Sequence, residues 1–183
     1  DQTFLGSPIP KWNYGGNLNF GFRNFDLMVS FYGITGVSIW NDLKYWTEGT
    51  TRPFNSSADL LSRWRTEGDI SKYPKAGQHA TGSQNLRPSD RFVEDGSYMR
   101  LRNLTLGYKL PLGEGLFGKT FSSFRVYVTA QNLLTLTKYK GYDPEIGAQD
   151  PNSQESFLFA RGIDGGQYPQ PRSFMLGVQV GFQ

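Results

Sequence analysis

The final stretch of the chain, Ser173 to Gln183, alternates large apolar side chains with small or polar ones, Met175 excepted. The apolar positions, each two residues from the next, are Phe174, Leu176, Val178, Val180 and Phe182. A strict period of two predicts a β-strand that buries one face. Because an apolar strand with a free edge invites aggregation, this strand needs partners. We predict that it is the closing strand of an outer-membrane β-barrel.

Four further segments show the same alternation, and each is near the length that crosses a bilayer at a tilt. The five predicted strands span residues 12–22, 25–37, 98–110, 121–137 and 172–182. A turn at Arg23 and Asn24 joins the first two strands as a hairpin. Since about eight strands form the smallest barrels, we predict an all-β chain that supplies five strands of a larger barrel.

The connections between the predicted strands alternate in length. Short turns follow Phe22 and Leu110, whereas long segments cover residues 38–97 and 138–171. Transmembrane barrels show this asymmetry, with short periplasmic turns and long extracellular loops. Aromatic girdles are predicted at both ends of the apolar face, with Phe22, Phe25, Tyr108, Phe124 and Phe182 at the short-turn end and Trp12, Tyr14, Phe31 and Phe174 toward the other.

Composition excludes several classes of protein. No run of roughly 18 apolar residues occurs, which predicts no transmembrane helix. With Cys 0, the chain forms no disulfide and has no cysteine nucleophile. Lys and Arg are scattered, and the net charge of +3 does not favour a nucleic-acid partner. A soluble glycan-binding β-sandwich stays open, because its strands alternate in the same way.

The sequence predicts no catalytic residue, no metal site and no cofactor, so the chain is not expected to be an enzyme. His79 is the single histidine, which excludes a catalytic triad and a two-histidine metal site within the chain. The neighbouring carboxylates of Asp143 and Glu145 could bind calcium, but Pro144 between them favours a structural turn.

The long segment 38–97 carries the sharper candidates for binding. Ser56 to Asp59 resemble a capping box, which predicts a short helix with Leu60, Leu61 and Trp64 on one face, ended by Gly68. Flat aromatic side chains can stack on sugar rings or on peptide side chains, and the candidates are Trp40, Tyr45, Trp46, Trp64 and Tyr73. These residues are predicted either to contact substrate or to pack the loop on itself.

Several longer motifs carry a family resemblance. The blocks PKWNYGGNLNF, SYMRLRNLTLGYKLP, AQNLLTLTKYKGYDPE and GIDGGQYPQPRSFMLGVQVGF occur in this order and span nearly all of the chain outside the long loop. In these blocks the sequence resembles the C-terminal end of the SusC/RagA family, the TonB-dependent outer-membrane transporters of Bacteroidetes-type bacteria.

The resemblance implies the C-terminal five strands of a roughly 22-stranded antiparallel transmembrane β-barrel with a plugged lumen. It implies that the plug and the segment contacting TonB lie upstream and are absent from residues 1–183. The implied partners are the rest of the barrel and its plug, TonB, outer-membrane lipid and a SusD-type surface lipoprotein that covers the barrel as a lid. The implied substrates are oligosaccharides or oligopeptides, and a siderophore-type transporter is the alternative.

The resemblance also implies roles for single residues. Arg125, Tyr127 and Gln131 are expected to face the lumen and its plug, and Arg100 and Arg102 to pair with plug or loop carboxylates near the entry. The loop aromatic residues are expected to contact substrate or the lid. Phe182 is expected to be the aromatic part of the barrel-assembly signal. Members of the family typically end on an aromatic residue, whereas here Gln183 follows Phe182.

Overall fold

The computed structural model describes residues 2–49, 55–76, 87–112, 120–146 and 161–182. In chain order its elements are β1 (Trp12–Phe22), β2 (Phe25–Thr35), β3 (Ser38–Asn41), α1 (Asp42–Thr47), a first 3-10 helix (Ala58–Ser62), a second 3-10 helix (Asp90–Phe92), β4 (Val93–Asp95), β5 (Tyr98–Lys109), β6 (Phe121–Thr137), β7 (Ile163–Asp164) and β8 (Ser173–Phe182). Among the helices in these ranges, none has the length and apolar character that a membrane crossing requires.

The chain divides into two compact units. The first, called the sheet unit, comprises Lys11–Thr35, Ser97–Lys138 and Pro169–Gln183. The second, called the loop unit, comprises Asp1–Pro10, Gly36–Gly96 and Tyr139–Tyr168.

The sheet unit is a single antiparallel sheet with the strand order β1-β2-β5-β6-β8. These are the five segments in which the sequence alternates, and β8 pairs with β6 from Phe182 opposite Phe121 to Ser173 opposite Gln131. The predicted end of the second strand at residue 37 was wrong, because β2 ends at Thr35. Gly36 follows with a φ of 72°, a left-handed conformation that ends the ladder.

The two faces of this sheet differ in chemistry along every strand. One cross-strand row, which is entirely apolar, consists of Leu18, Val29, Leu104, Ala130 and Phe174. The adjacent row on the other face, which is entirely polar, consists of Asn17, Ser30, Asn103, Gln131 and Ser173. The apolar face stays exposed, since Leu18 is 48%, Leu106 51% and Leu176 75% accessible. A sheet in water covers its apolar face with a second layer, so this face is suited to an apolar surrounding.

The aromatic rows agree with the predicted girdles in part. Phe22, Phe25 and Tyr108 share one row, and the rings of Phe25 and Tyr108 lie 4.7 Å apart. Phe174 differs, because it pairs with Ala130 in the row of Leu18 and not in the row of Trp12. The reason is that β8 begins opposite the middle of β6, which continues well beyond that point.

A β-bulge of β5 against β2 decides which face the upstream half of β5 presents. Ser30 pairs with Asn103 and Phe31 pairs with Leu101, so β5 has one extra residue, Arg102, relative to β2. Strict alternation would place Arg100 on the apolar face with Leu104. The extra residue shifts the phase, so Arg100 pairs with Tyr32 and Thr135 on the polar face.

The loop unit contains a small sheet that sequence alternation did not predict. Its strand order is β4-β3-β7, with β3 antiparallel to β4 and parallel to β7. Strands of two to four residues are too short for a period of two to be recognised. The buried apolar side chains of this unit are Val37, Ile39, Leu60, Phe92 and Tyr139.

The helix predicted from the capping box is shorter and of another type. Ala58–Ser62 is a 3-10 helix, and the Ser57 hydroxyl accepts a hydrogen bond from the Asp59 N–H at 3.3 Å. The predicted apolar face was wrong, because Leu60 is buried whereas Leu61 is 70% exposed. Arg63 takes an extended conformation directly after the helix, so Trp64 is not part of it.

Candidate functional site

Four aromatic side chains pack together in the loop unit. The Trp40 ring of β3 lies 5.3 Å from Phe92 and 5.9 Å from Tyr45. Tyr45 in turn lies 5.2 Å from Phe92 and 5.9 Å from Trp46, both in edge-on geometry. Three of the five predicted binding aromatics thus form one cluster around the fully buried Phe92, a residue that sequence reasoning did not single out.

Asp42 holds the two tryptophans of this cluster in place. The Trp40 indole N–H donates to its Oδ1 at 3.2 Å, and the Trp46 indole N–H donates to its Oδ2 at 2.8 Å. Asp42 is the first residue of α1, and Asn41 caps this helix by accepting from the Lys44 N–H at 2.9 Å. Both indole N–H donors are therefore bonded to Asp42. A ligand at this cluster would contact the ring surfaces of the two tryptophans and not their N–H groups.

Trp64 and Tyr73 form a separate pair. The backbone N–H of Trp64 donates to the backbone carbonyl of Tyr73 at 2.9 Å. The Lys75 ammonium lies 5.6 Å from the centre of the Trp64 ring. Tyr73 also borders a polar cavity of about 170 Å³, which Glu48, Asp59 and other charged residues line. The five predicted aromatics accordingly make two groups and not one continuous platform.

Glu48 is a buried carboxylate at the edge of this polar cavity. Its Oε2 lies 3.8 Å from the Arg91 Nε, and neither atom has a hydrogen-bond partner among the described residues. Burial raises the pKa of Glu48 above its usual value, against the opposing charges of Lys44 and Arg91. Lys44 forms its ion pair with Glu94 and not with Glu48, since its ammonium lies 3.2 Å from the Glu94 carboxylate.

The carboxylates that raised the question of calcium serve as local structure. Asp143 accepts from the Glu145 N–H at 2.9 Å, which is an Asx turn around Pro144.

A further buried carboxylate of the loop unit is Asp164, which accepts from the Tyr139 hydroxyl at 2.5 Å and from the Gly166 N–H at 2.9 Å. Burial, together with the bond to Asp164, raises the pKa of Tyr139. In the parts of the chain that the structure describes, no three acidic or histidine side chains cluster as metal ligands would. His79 lies outside the described residues.

A second cavity of the loop unit has no counterpart in the sequence predictions. It measures about 180 Å³ and lies where residues 5–8 meet β3 and β7. Trp40 and Arg161 both line it. The lining comes from four segments that are distant in sequence, namely residues 5–8, β3, Val93 of β4 and residues 161–163, so no local motif predicts it.

The polar face of the sheet unit holds an ion pair that spans three strands. Arg125 of β6 donates to Asp26 of β2 through Nε at 2.8 Å and through Nη2 at 2.5 Å. The pair crosses β5 above Gly107, where a Cβ would meet both side chains. Arg125 is expected to face the lumen and its plug, and on the polar face its guanidinium is bonded to Asp26.

The other residues expected in the lumen lie on the same polar face. Tyr127 covers the backbone of Gly177 on the neighbouring strand, and Gln131 accepts from the Ser173 hydroxyl at 3.1 Å. Arg100 is 2% exposed and donates to the Thr135 hydroxyl at 3.0 Å. The Arg102 guanidinium lies 5.6 Å from the Tyr32 ring.

Phe182 lies at the end of the sheet where β6 begins. Its ring is 5.3 Å from the Phe121 ring, and its carbonyl accepts from the Ser122 hydroxyl at 3.2 Å. The ring itself remains 70% exposed on the sheet. Gln183 lies outside the described residues.

An antiparallel sheet with an exposed apolar face and a polar opposite face is a segment of β-barrel wall, and comparison with known proteins agrees. The TonB-dependent receptor P3 of Formosa agariphila is 36% identical over the whole chain, which spans 17% of that receptor. The TonB-dependent receptor SusC of Bacteroides thetaiotaomicron is 35% identical over 100 residues, 51% of this chain and 8% of SusC. The RagAB peptide transporter superposes with a TM-score of 0.76 at 30% identity, over 96% of this chain and 17% of that one.

No protein-family model matches the sequence. The chain nevertheless belongs to the TonB-dependent receptors of the SusC/RagA family, as the relatives named TonB-dependent receptor and the RagAB structures show. It spans less than a fifth of the length of these relatives.

Proposed function

We propose that the chain is the C-terminal part of an outer-membrane, TonB-dependent importer of large nutrients that works with a SusD-type surface lipoprotein. The observation that carries this proposal is the apolar face that stays exposed across five paired strands. Such a face is favourable against hydrocarbon, where backbone groups must all be bonded within the protein. Both outer strands, β1 and β8, would then pair with strands of the same barrel outside this chain.

The polar face supports a lumen that is filled with protein or water. It carries the Asp26–Arg125 pair and the buried Arg100, and polar side chains line the interior of membrane barrels. The plug of the full transporter would meet this face. TonB would act on a segment outside this chain.

The loop unit is the part that we assign to substrate and lid. It has a core, a sheet and the aromatic cluster of its own, and ordered long loops usually carry function. Oligopeptides and oligosaccharides are the two substrate classes considered, and the neighbours named RagAB peptide importer favour the first. The soluble sandwich receives no support, since the described residues leave the apolar face uncovered.

The proposal is tested by replacing residues 55–76 with a glycine–serine linker in the full-length transporter. We expect the barrel to insert, as a heat-modifiable band in outer-membrane fractions, while nutrient uptake and copurification of the lid lipoprotein are lost. The matched control inserts the same linker between Arg23 and Asn24, at the short turn, and retains both activities. Unchanged uptake and unchanged lid binding after the replacement would show that this segment has neither role.

A further inference from the structure

The cavity of about 180 Å³ in the loop unit is built by close backbone approaches. The Ser38 N–H donates to the Ser7 carbonyl at 2.8 Å, which fastens the N-terminal segment to β3. The Trp40 N–H donates to the Gly162 carbonyl at 2.7 Å, which fastens the segment before β7 to the same strand. Gly162 has a φ of 80°, and a Cβ there would run into the Pro8 ring. The walls are therefore held by backbone bonds and not by loose side chains.

The lining of this cavity is apolar with a single charge. Its apolar wall consists of Leu5, Pro8, Trp40, Val93 and Ile163. Leu5 and Ile163 are 40% and 39% exposed, so apolar surface of this cavity is accessible to a ligand. Among the described residues that line it, Arg161 is the only charged one, and no carboxylate faces it. A ligand that matches this lining has an apolar body and one anionic group.

The polar groups at the cavity argue against a sugar as the occupant. A sugar presents many hydroxyls, each of which needs a partner when buried. The Ser7 hydroxyl is already bonded to the backbone of Ile9, and the Trp40 indole N–H is bonded to Asp42. The Trp40 ring also packs against Phe92 and Tyr45. Beside Arg161, the Ser38 hydroxyl is the other polar side chain of the lining without a bond named above, which is few groups for the several hydroxyls of a sugar.

We infer that this cavity binds the C-terminal residue of an oligopeptide, with its carboxylate on the Arg161 guanidinium and an apolar side chain against the wall. A guanidinium recognises a carboxylate through two parallel N–H donors. The volume exceeds that of one water, about 30 Å³ in the liquid, and suits one side chain. The inference rests on the proposed importer function, and it selects oligopeptides from the two substrate classes.

The test measures binding to the purified full-length transporter by calorimetry. The probes are the tripeptide Ala-Ala-Leu, its C-terminal amide, the tripeptide Ala-Ala-Asp and maltotriose. We expect Ala-Ala-Leu to bind at least about tenfold more tightly than the other three. Arg161→Gln should weaken Ala-Ala-Leu about five- to thirtyfold and leave the amide unchanged, since only the acid uses the charge. Arg161→Lys should restore part of the loss.

Lys140→Gln is the matched control, because Lys140 lines the other cavity of the loop unit, and it should not change the binding of Ala-Ala-Leu. Equal affinity for the acid and the amide would overturn the inference. Unchanged binding in Arg161→Gln, or preference for maltotriose, would overturn it as well. Membrane insertion and TonB-dependent uptake, measured in cells that carry the same variants, test the importer proposal separately.

Discussion

Replacing Leu18 by arginine tests whether the exposed apolar face meets lipid. Leu18 lies near the middle of β1, is 48% exposed and pairs with Val29. At a position facing water, such a substitution changes the free energy of unfolding by no more than about 0.5 kcal/mol. At the bilayer midplane, arginine on a barrel wall costs about 2–4 kcal/mol. The loss of folding free energy expected from Leu18→Arg is therefore at least about 1.5 kcal/mol larger in lipid than in water.

Asn19→Arg is the matched control for Leu18→Arg. Asn19 is the next residue of β1, is also exposed and points to the polar face, opposite Met28. We expect full-length transporter with Leu18→Arg to show a lower denaturant midpoint and less heat-modifiable barrel in the outer membrane, whereas Asn19→Arg stays near the unsubstituted protein.

A third variant separates lipid from a covering protein layer. Phe22 lies at the end of β1 in the aromatic row, where arginine at a membrane interface costs only about 0–1 kcal/mol. Under a protein layer, Phe22→Arg would cost as much as Leu18→Arg. Equal losses at both positions, or equal small effects of Leu18→Arg and Asn19→Arg, would refute the assignment of this face to lipid.

Three further predictions concern other parts of the chain. Phe182→Asp should lower the yield of inserted barrel without weakening ligand binding by the molecules that do insert, as quantitative blots and calorimetry would show. Gly33→Ala should destabilise the barrel by about 1–3 kcal/mol, because its Cβ would meet the Tyr98 carbonyl, whereas Gly21→Ala, with open space around it, should not, as denaturant midpoints would show. The raised pKa of Glu48 means that its protonated form favours the fold, so protection of the loop unit from proteolysis should fall as the pH rises through that pKa, and Glu48→Gln should remove this dependence.

Much of the sheet unit follows from the sequence alone. A period of two is a local property, and the pleat of a strand converts it directly into two faces. The alternation therefore located the five paired strands, and the polar residues Arg125, Tyr127 and Gln131 lie together on one face as their spacing predicted. The exposed apolar face was expected as well, because the alternation, the aromatic girdles and the unequal connections predicted a barrel wall that faces lipid.

The phase of a strand across an irregularity is decided only by tertiary structure. Counting by two from Leu104 would put Arg100 on the apolar face, and only the bulge at Arg102, set by pairing with β2, turns it to the polar face. The end of β2 at Thr35 likewise depends on the conformation of Gly36, which the sequence permits but does not impose.

The sequence by itself determined the sheet, its membership of a barrel wall and the aromatic candidates. Tertiary structure decided how those candidates group and which segments form the apolar cavity. Trp40, Tyr45 and Trp46 meet around Phe92, while the apolar cavity joins residues 5–8, β3 and the segment at Arg161. Contacts between segments so distant in sequence form only when the chain folds, and no local pattern encodes them.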